Sequence, residues 1–180
     1  MRQRVIAGLA TIIVAGILAG PSMATGPEKV DAPGIVNFSQ IDGSSGFAGT
    51  TVGCGGATQS SAMPWLKNEG FVSVINLRLA SEEGADVEVS RAAAEKIGLN
   101  YFHLPFNPQD LSPAVVDAFV AAVGNEESQP VYIHCGSATR AAALWMIGRA
   151  REDGWEIAAA GEEARLIATK PEQAITIDSL

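Results

Sequence analysis

The chain is poor in the residues from which metal sites and disulfide frameworks are built. It has two cysteines, Cys54 and Cys135, and two histidines in 180 residues. One histidine adjoins Cys135 and no further ligand stands near it, so the spacing of a zinc site is missing and no metal or other cofactor is expected. Basic residues are also scarce: 12 Lys and Arg face 20 Asp and Glu, for a formal net charge of −8. That balance argues against nucleic acid or an anionic membrane as the main partner and leaves a small diffusible molecule or a protein. No internal repeat is visible, and the one long uncharged apolar run lies at the very start of the chain.

That run follows Arg2 and Arg4, extends over 5–20, and leads into Pro21-Ser22-Met23-Ala24. Basic residues, an apolar stretch and small residues before a cut make the plan of a secretory leader, expected to cover 1–24 with cleavage after Ala24. Gly8, Gly16 and Gly20 interrupt the run and no charged stop-transfer flank follows, which speaks against a stable membrane anchor. No cysteine follows closely, so a lipid-attachment residue is missing. The expected location is periplasmic or secreted. Losing a leader with two arginines and no acid makes the remainder still more acidic, and its length suits one domain. In an oxidising compartment Cys54 and Cys135 would be candidates for pairing.

Residues 25–34, rich in turn formers, read as a flexible lead-in, 35–169 as the domain and 170–180 as a loose tail. Two strands forming a hairpin are expected over 35–41 and 47–52, broken by Gly53-Cys54-Gly55-Gly56. Ser60 or Ser61 is placed to cap a helix with Pro64 in its first turn. The β-branched apolar run over 71–77 predicts a strand covered on both faces, followed by a charged loop over 78–83. A helix over 87–97, a strand over 101–104, a helix capped at Ser112 with Pro113 first, and a buried strand over 131–134 follow. A helix after Cys135 and a last one over 155–168 complete the pattern. Alternating strands and helices imply an α/β fold with a mainly parallel central sheet flanked by helices.

The last strand runs straight into His134-Cys135-Gly136-Ser137-Ala138-Thr139-Arg140. At a strand-to-helix junction the amides of Gly136, Ser137, Ala138 and Thr139 can surround an anion, with the positive end of the following helix aimed at it. Such a setting favours a thiolate nucleophile in general, and an arginine can grip two oxygens of a tetrahedral anion. Cys135 and Arg140 are therefore the candidate catalytic pair. Read alone, they also fit a buried thiol and a solvated helix residue.

Four segments carry a resemblance: 70–78 (Gly-Phe-Val-Ser-Val-Ile-Asn-Leu-Arg), the acids Glu82-Glu83, 98–105 (Gly-Leu-Asn-Tyr-Phe-His-Leu-Pro) and 134–145 (His-Cys-Gly-Ser-Ala-Thr-Arg-Ala-Ala-Ala-Leu-Trp). Together they resemble the small bacterial phosphatase-like family related to dual-specificity and tyrosine phosphatases, also found fused to beta-lactamase-like hydrolase domains. The resemblance covers roughly residues 35–165. It implies a cysteine-phosphatase fold, a phosphocysteine on Cys135, phosphate held by Arg140 and the loop amides, a phosphorylated small molecule or phosphoprotein as partner, and no need for metal. The loop is one residue shorter than in familiar tyrosine phosphatases, a spacing shared by the bacterial subfamily. Ala138 replaces the usual loop glycine, and Ala141 stands where many phosphatases carry a hydroxyl residue.

Phosphatases of this kind use an aspartate to protonate the leaving oxygen, and Asp110, after Pro105, is the residue near the expected place; a turn residue is the other reading. Arg78 and Glu83 are placed at a rim of the site, with Arg78 a candidate substrate contact or half of a surface ion pair. Cys54, at the end of an early strand, is a possible disulfide or redox partner of Cys135, or simply packs between glycines. Besides phosphate monoester hydrolysis, a rhodanese-type sulfurtransferase fits the short loop, and an inactive anion-binding module fits Ala138 and Ala141.

Overall fold

The computed structural model describes residues 26–44 and 46–168. The expected leader over 1–24 and the expected tail over 170–180 lie outside the described residues. Six strands, β1 (Glu28–Lys29), β2 (Ser39–Ile41), β3 (Val52–Gly55), β4 (Ser73–Asn76), β5 (Asn100–His103) and β6 (Val131–His134), form one sheet in the order β1-β2-β3-β6-β4-β5. β3, β6, β4 and β5 run parallel, and β2 and β1 add antiparallel at one edge. The mainly parallel α/β fold expected from the sequence is the fold found.

Five helices, α1 (Met63–Asn68), α2 (Val87–Lys96), α3 (Pro113–Gly124), α4 (Thr139–Glu152) and α5 (Ile157–Ala168), cover the sheet. Side chains alternate along a strand, so each central strand feeds two cores. Ile75 and Ile133 join Phe119, Leu144, Trp145 and Ile167 on one face, while Val74 and Tyr132 join Met63, Leu66 and Ala94 on the other. All four residues of β4 and of β6 are buried, Ser73, Asn76 and His134 included, as expected of strands covered on both faces.

Two expectations need correction at the first hairpin. Its second strand is not 47–52 but Val52–Gly55, so the glycine-rich stretch read as a break is the strand itself. The reason is steric. A Cβ on Gly53 would lie 2.8 Å from the Phe71 ring, and one on Gly55 2.2 Å from the Tyr132 hydroxyl; glycine lets this strand run beneath aromatic side chains. The first strand shrinks to Ser39–Ile41 because Asn37 adopts φ 54°, a left-handed conformation that interrupts extended pairing. The lead-in is also tied down: β1 pairs with β2, and the Lys29 ammonium donates to the Ile167 carbonyl at 2.7 Å. Neither Ser60 nor Ser61 caps α1, which starts after a 3-10 turn over Ser60–Ala62.

The helical face opposite α1 and α2 is held by a buried cation. Arg149, 1% exposed, pairs with Asp153 at 2.9 Å and Glu163 at 3.1 Å, and lies 4.5 Å from the rings of both Trp145 and Trp155. Glu163 also accepts from the Trp145 indole, and Asp153 from the Phe47 amide, so this one residue ties α4, α5 and the loop after β2 together. Arg149→Leu would strand two carboxylates in a dry site, and is expected to cost about 3–5 kcal/mol. A urea midpoint lowered by that free energy divided by an unchanged slope checks it; a loss under about 1 kcal/mol would show that water reaches the pair.

Candidate functional site

All four parallel strands end at the same edge of the sheet, where open parallel sheets place their sites. The loops leaving β3 (Gly56–Gln59), β4 (77–86), β5 (104–112) and β6 (135–138) meet there. Ala57 in the first donates its amide to the Gly136 carbonyl at 2.9 Å, and Leu77 in the second donates to the His134 carbonyl at 2.9 Å. The sequence places Cys135 at this edge simply by ending β6.

Cys135 is 1% exposed, and its own amide is spent on the Gly55 carbonyl at 3.2 Å. The next two amides, of Gly136 and Ser137, meet no backbone acceptor among the described residues. The first-turn amides of α4 have no intrahelical acceptor by geometry, and no side chain caps them. The loop thus offers donors and a positive helix end to an anion. Ser137 and Thr139 share a hydroxyl contact at 3.1 Å and are exposed. Ala138 turns the chain at φ 75°, fully buried, in a conformation that costs an alanine roughly 1 kcal/mol. Ala138→Gly is therefore expected to stabilise the domain by about 0.5–1 kcal/mol, read as a raised melting temperature. A lowered one would mean that the buried methyl contributes more than the strain costs.

Arg140 is positioned by Glu82, which the sequence offered as one of the acids carrying the resemblance but without a role at the site. Glu82 accepts from its Nη1 at 2.6 Å and its Nη2 at 2.7 Å, while Nη1 also reaches the carbonyls of Leu77 and Phe106 at 3.1 and 3.2 Å. Two of the four loops, those after β4 and β5, thereby hold one guanidinium. Its Nε and the second Nη2 proton meet no oxygen acceptor among the described residues, and the guanidinium's further partner is the Cys135 side chain, which leaves one two-pronged edge without an oxygen on it. Arg140's hydrogen bonds, helped by the Leu79 amide against the opposing effect of burial, hold the Glu82 carboxyl down at about 2. The same pairing raises Arg140 above its ordinary value, with Cys135 acting in the same direction.

The Arg78 guanidinium is spent on partners within the protein. At 6% exposure its guanidinium donates to Glu82 at 3.2 Å and to the carbonyls of Gly84 at 2.7 Å and Glu83 at 2.5 Å. Its backbone is set in turn: the amide donates to Asn76, Asn76 donates to the Tyr101 hydroxyl, and the carbonyl accepts from His103 Nε2 at 2.8 Å. The expected substrate contact is a brace that fixes the 79–84 loop and so Glu82. His103 serves the same scaffold.

Asp110 ends a 3-10 turn over Pro108–Asp110 and is exposed. Its loop touches the site through the Phe106 carbonyl, but no side-chain contact brings Asp110 to Cys135 or Arg140. His134 points away from Cys135, stacked on Tyr132 at 5.6 Å with an interplanar angle of 6°. Burial and then the Arg78 charge push its pKa down to about 3, so the ring is neutral. Cys54, on β3, and Cys135, just past the end of the neighbouring β6, are both free and buried. Cys54 lies opposite Ile133, two positions short of Cys135. Strand spacing and rise then separate the Cα atoms by about 8 Å, beyond disulfide reach. The disulfide reading is corrected accordingly, and burial pushes the Cys54 thiol far up, as befits a packing residue.

Among the described residues no group of three or more His, Cys, Asp or Glu is arranged to hold a metal ion, and no helix is long and apolar enough to cross a membrane. Comparison with known proteins meets this site from another side. A curated relative, the Beta-lactamase hydrolase-like protein of Agrobacterium fabrum, is 33% identical over 89 residues, which are 48% of this chain and 20% of the relative. The chain thus matches about a fifth of that protein. Among solved structures, TpbA of P. aeruginosa superposes with a TM-score of 0.58 at 19% identity over 78% of both chains, and TpbA has also been solved with pTyr. The PP-IP phosphatase Siw14 of S. cerevisiae gives a TM-score of 0.57 at 14% identity, over 80% of this chain and 83% of its own. These likenesses show a cysteine-phosphatase fold. The family model for the phosphatase-like domain of the Beta-lactamase hydrolase-like protein matches residues 57–152, more than half of the chain and, Gly56 apart, all four loops of the site, and the chain belongs to that family.

Proposed function

We propose that the chain hydrolyses a phosphate monoester through Cys135. The observation that carries this reading is the Arg140 guanidinium, clamped on one edge by Glu82 and open on the other, beside a thiol and unspent loop amides. The free edge suits two oxygens of a phosphoryl group, and the amides of Gly136 and Ser137 suit the others. The Cys135 thiolate attacks phosphorus; the S–P bond forms as the ester P–O bond breaks, and the leaving oxygen takes a proton from a general acid. Water then attacks phosphorus, the S–P bond breaks, and inorganic phosphate and the thiolate are released.

The test is a paired assay of the purified protein with an aryl phosphate and with thiosulfate plus cyanide, each read against a Cys135→Ser control. Cys135-dependent phosphate release supports the proposal. Cys135-dependent thiocyanate formation alone would make the chain a sulfurtransferase, and neither activity would make it an anion-binding module. Asp110 is proposed as the acid, reaching the leaving oxygen once substrate is bound. Asp110→Asn is then expected to slow alkyl phosphates about 10²-fold and aryl phosphates with acidic leaving groups little; equal effects on both would return Asp110 to a turn role. Export through the 1–24 leader is part of the same proposal, tested by the N-terminal sequence of the protein recovered from the periplasm.

A further inference from the structure

Beside the reactive loop lies an open cleft of about 730 Å³. One wall includes Ala57, Thr58 and Ser61 and the other Glu83 and Asp86, with Arg78 between them. Both walls are tied to the reactive loop. Ala57 hydrogen-bonds Gly136, and Glu82, next to Glu83, grips Arg140. With both walls tied to the reactive loop, the cleft offers room beside a phosphate seated at Cys135 and Arg140 for the rest of its ester.

The cleft is electrically one-sided. Its one cation, Arg78, is neutralised by Glu82 and spent on two backbone carbonyls. Its two exposed carboxylates, Glu83 and Asp86, form no ion pair among the described residues. Building on the phosphatase reading above, we infer that the cleft selects phosphorylated peptide segments whose phosphate is flanked by lysine or arginine, and discriminates against substrates carrying further anionic groups. The substrate phosphate is held by Arg140 and the loop, and its cationic neighbours by Glu83 and Asp86. A carboxylate within about 6 Å of a cationic side chain in wet surroundings is worth a few-fold in affinity, so two together give roughly five- to tenfold, less at high salt.

The experiment measures kcat/KM for three phosphotyrosyl peptides alike except for Lys/Arg, Ser/Gly or Asp/Glu flanks, at low and at high salt. The expected order is basic over neutral over acidic, spanning roughly five- to tenfold at low salt, carried by KM and compressed by salt. Combining Glu83→Gln with Asp86→Asn should flatten the series, and Glu83→Lys should invert it. Asp86 sits at φ 38°, which asparagine tolerates, and the Glu83 contact to Arg78 is through its backbone, so these changes spare the fold. Equal rates for the three peptides would overturn the inference and leave the phosphatase reading standing. A gradient that survives in the variants would overturn the roles of Glu83 and Asp86. Failure to hydrolyse any of the peptides or an aryl phosphate would overturn the phosphatase reading and the inference with it.

Discussion

Cys135→Ser is expected to lower phosphate monoester hydrolysis by at least about 10⁴-fold while leaving the melting temperature within a few degrees. A serine hydroxyl is a weak nucleophile unless a base takes its proton, and nothing at this site is placed to do so. His134 is the nearest imidazole in the chain, but alternation along β6 turns it to the opposite face, against Tyr132. Glu82 is committed to Arg140 and Arg78 and kept ionised by them, which makes it a poor proton acceptor. Asp110, on its exposed turn, touches neither member of the pair. The variant keeps a side chain of nearly the same shape in the core cluster that Cys135 shares with Ile133 and Leu77. Steady-state rates with a fluorogenic aryl phosphate, alongside a thermal melt, separate lost chemistry from lost fold. Retention of more than about a hundredth of the wild-type rate would place the nucleophile elsewhere.

The pair Cys135 and Arg140 was legible because each step leading to it is local. The apolar run of β6 ends at Cys135, small residues allow the turn, and the helix begins within a few residues, so periodicity alone puts a thiol and a guanidinium at one junction. What was not legible depends on which strands lie side by side. Glu82 stands in a charged loop like any other acid; only the β4–β6 pairing brings it under Arg140, 58 positions away in the chain. The resemblance singled out Glu82-Glu83 as a pair, and the Arg78-to-Glu82 spacing was a further hint, since both ends of an i,i+4 pair lie at this site. Cys54 shows the converse. Its strand is indeed the neighbour of β6, as supposed, yet the register, which the sequence does not state, sets it opposite Ile133. β3 itself escaped because glycine is depleted in strands generally, whereas here the partners are aromatic rings that occupy the space a Cβ would need.

Arg140→Lys is expected to reduce kcat/KM about 10²–10³-fold, although the charge is kept. A guanidinium has two usable edges, and in this site both have work: the Nη1/Nη2 edge takes Glu82 and the Leu77 and Phe106 carbonyls, and the Nε/Nη2 edge remains for the phosphoryl oxygens. An ammonium has three donors at one point and cannot span both tasks, so it either stays on Glu82 or leaves it for the phosphate. In the first case the transition state loses its two-pronged contact; in the second, Glu82 is left as an unpaired carboxylate beside a substrate dianion. Glu82→Gln separates the two effects. It keeps Arg140 intact but weakens the clamp, and about a tenfold loss is expected, with kcat falling more than KM rises because the contact tightens as charge develops on phosphorus. Glu82 titrates at about 2, so it stays ionised at every pH at which the domain would be assayed, and the acid limb of the pH–rate profile should not move in Glu82→Gln. A shifted acid limb would show that Glu82 exchanges protons during turnover. Lysine at 140 working within about threefold of arginine would show that the charge alone, and not the clamped fork, holds the substrate.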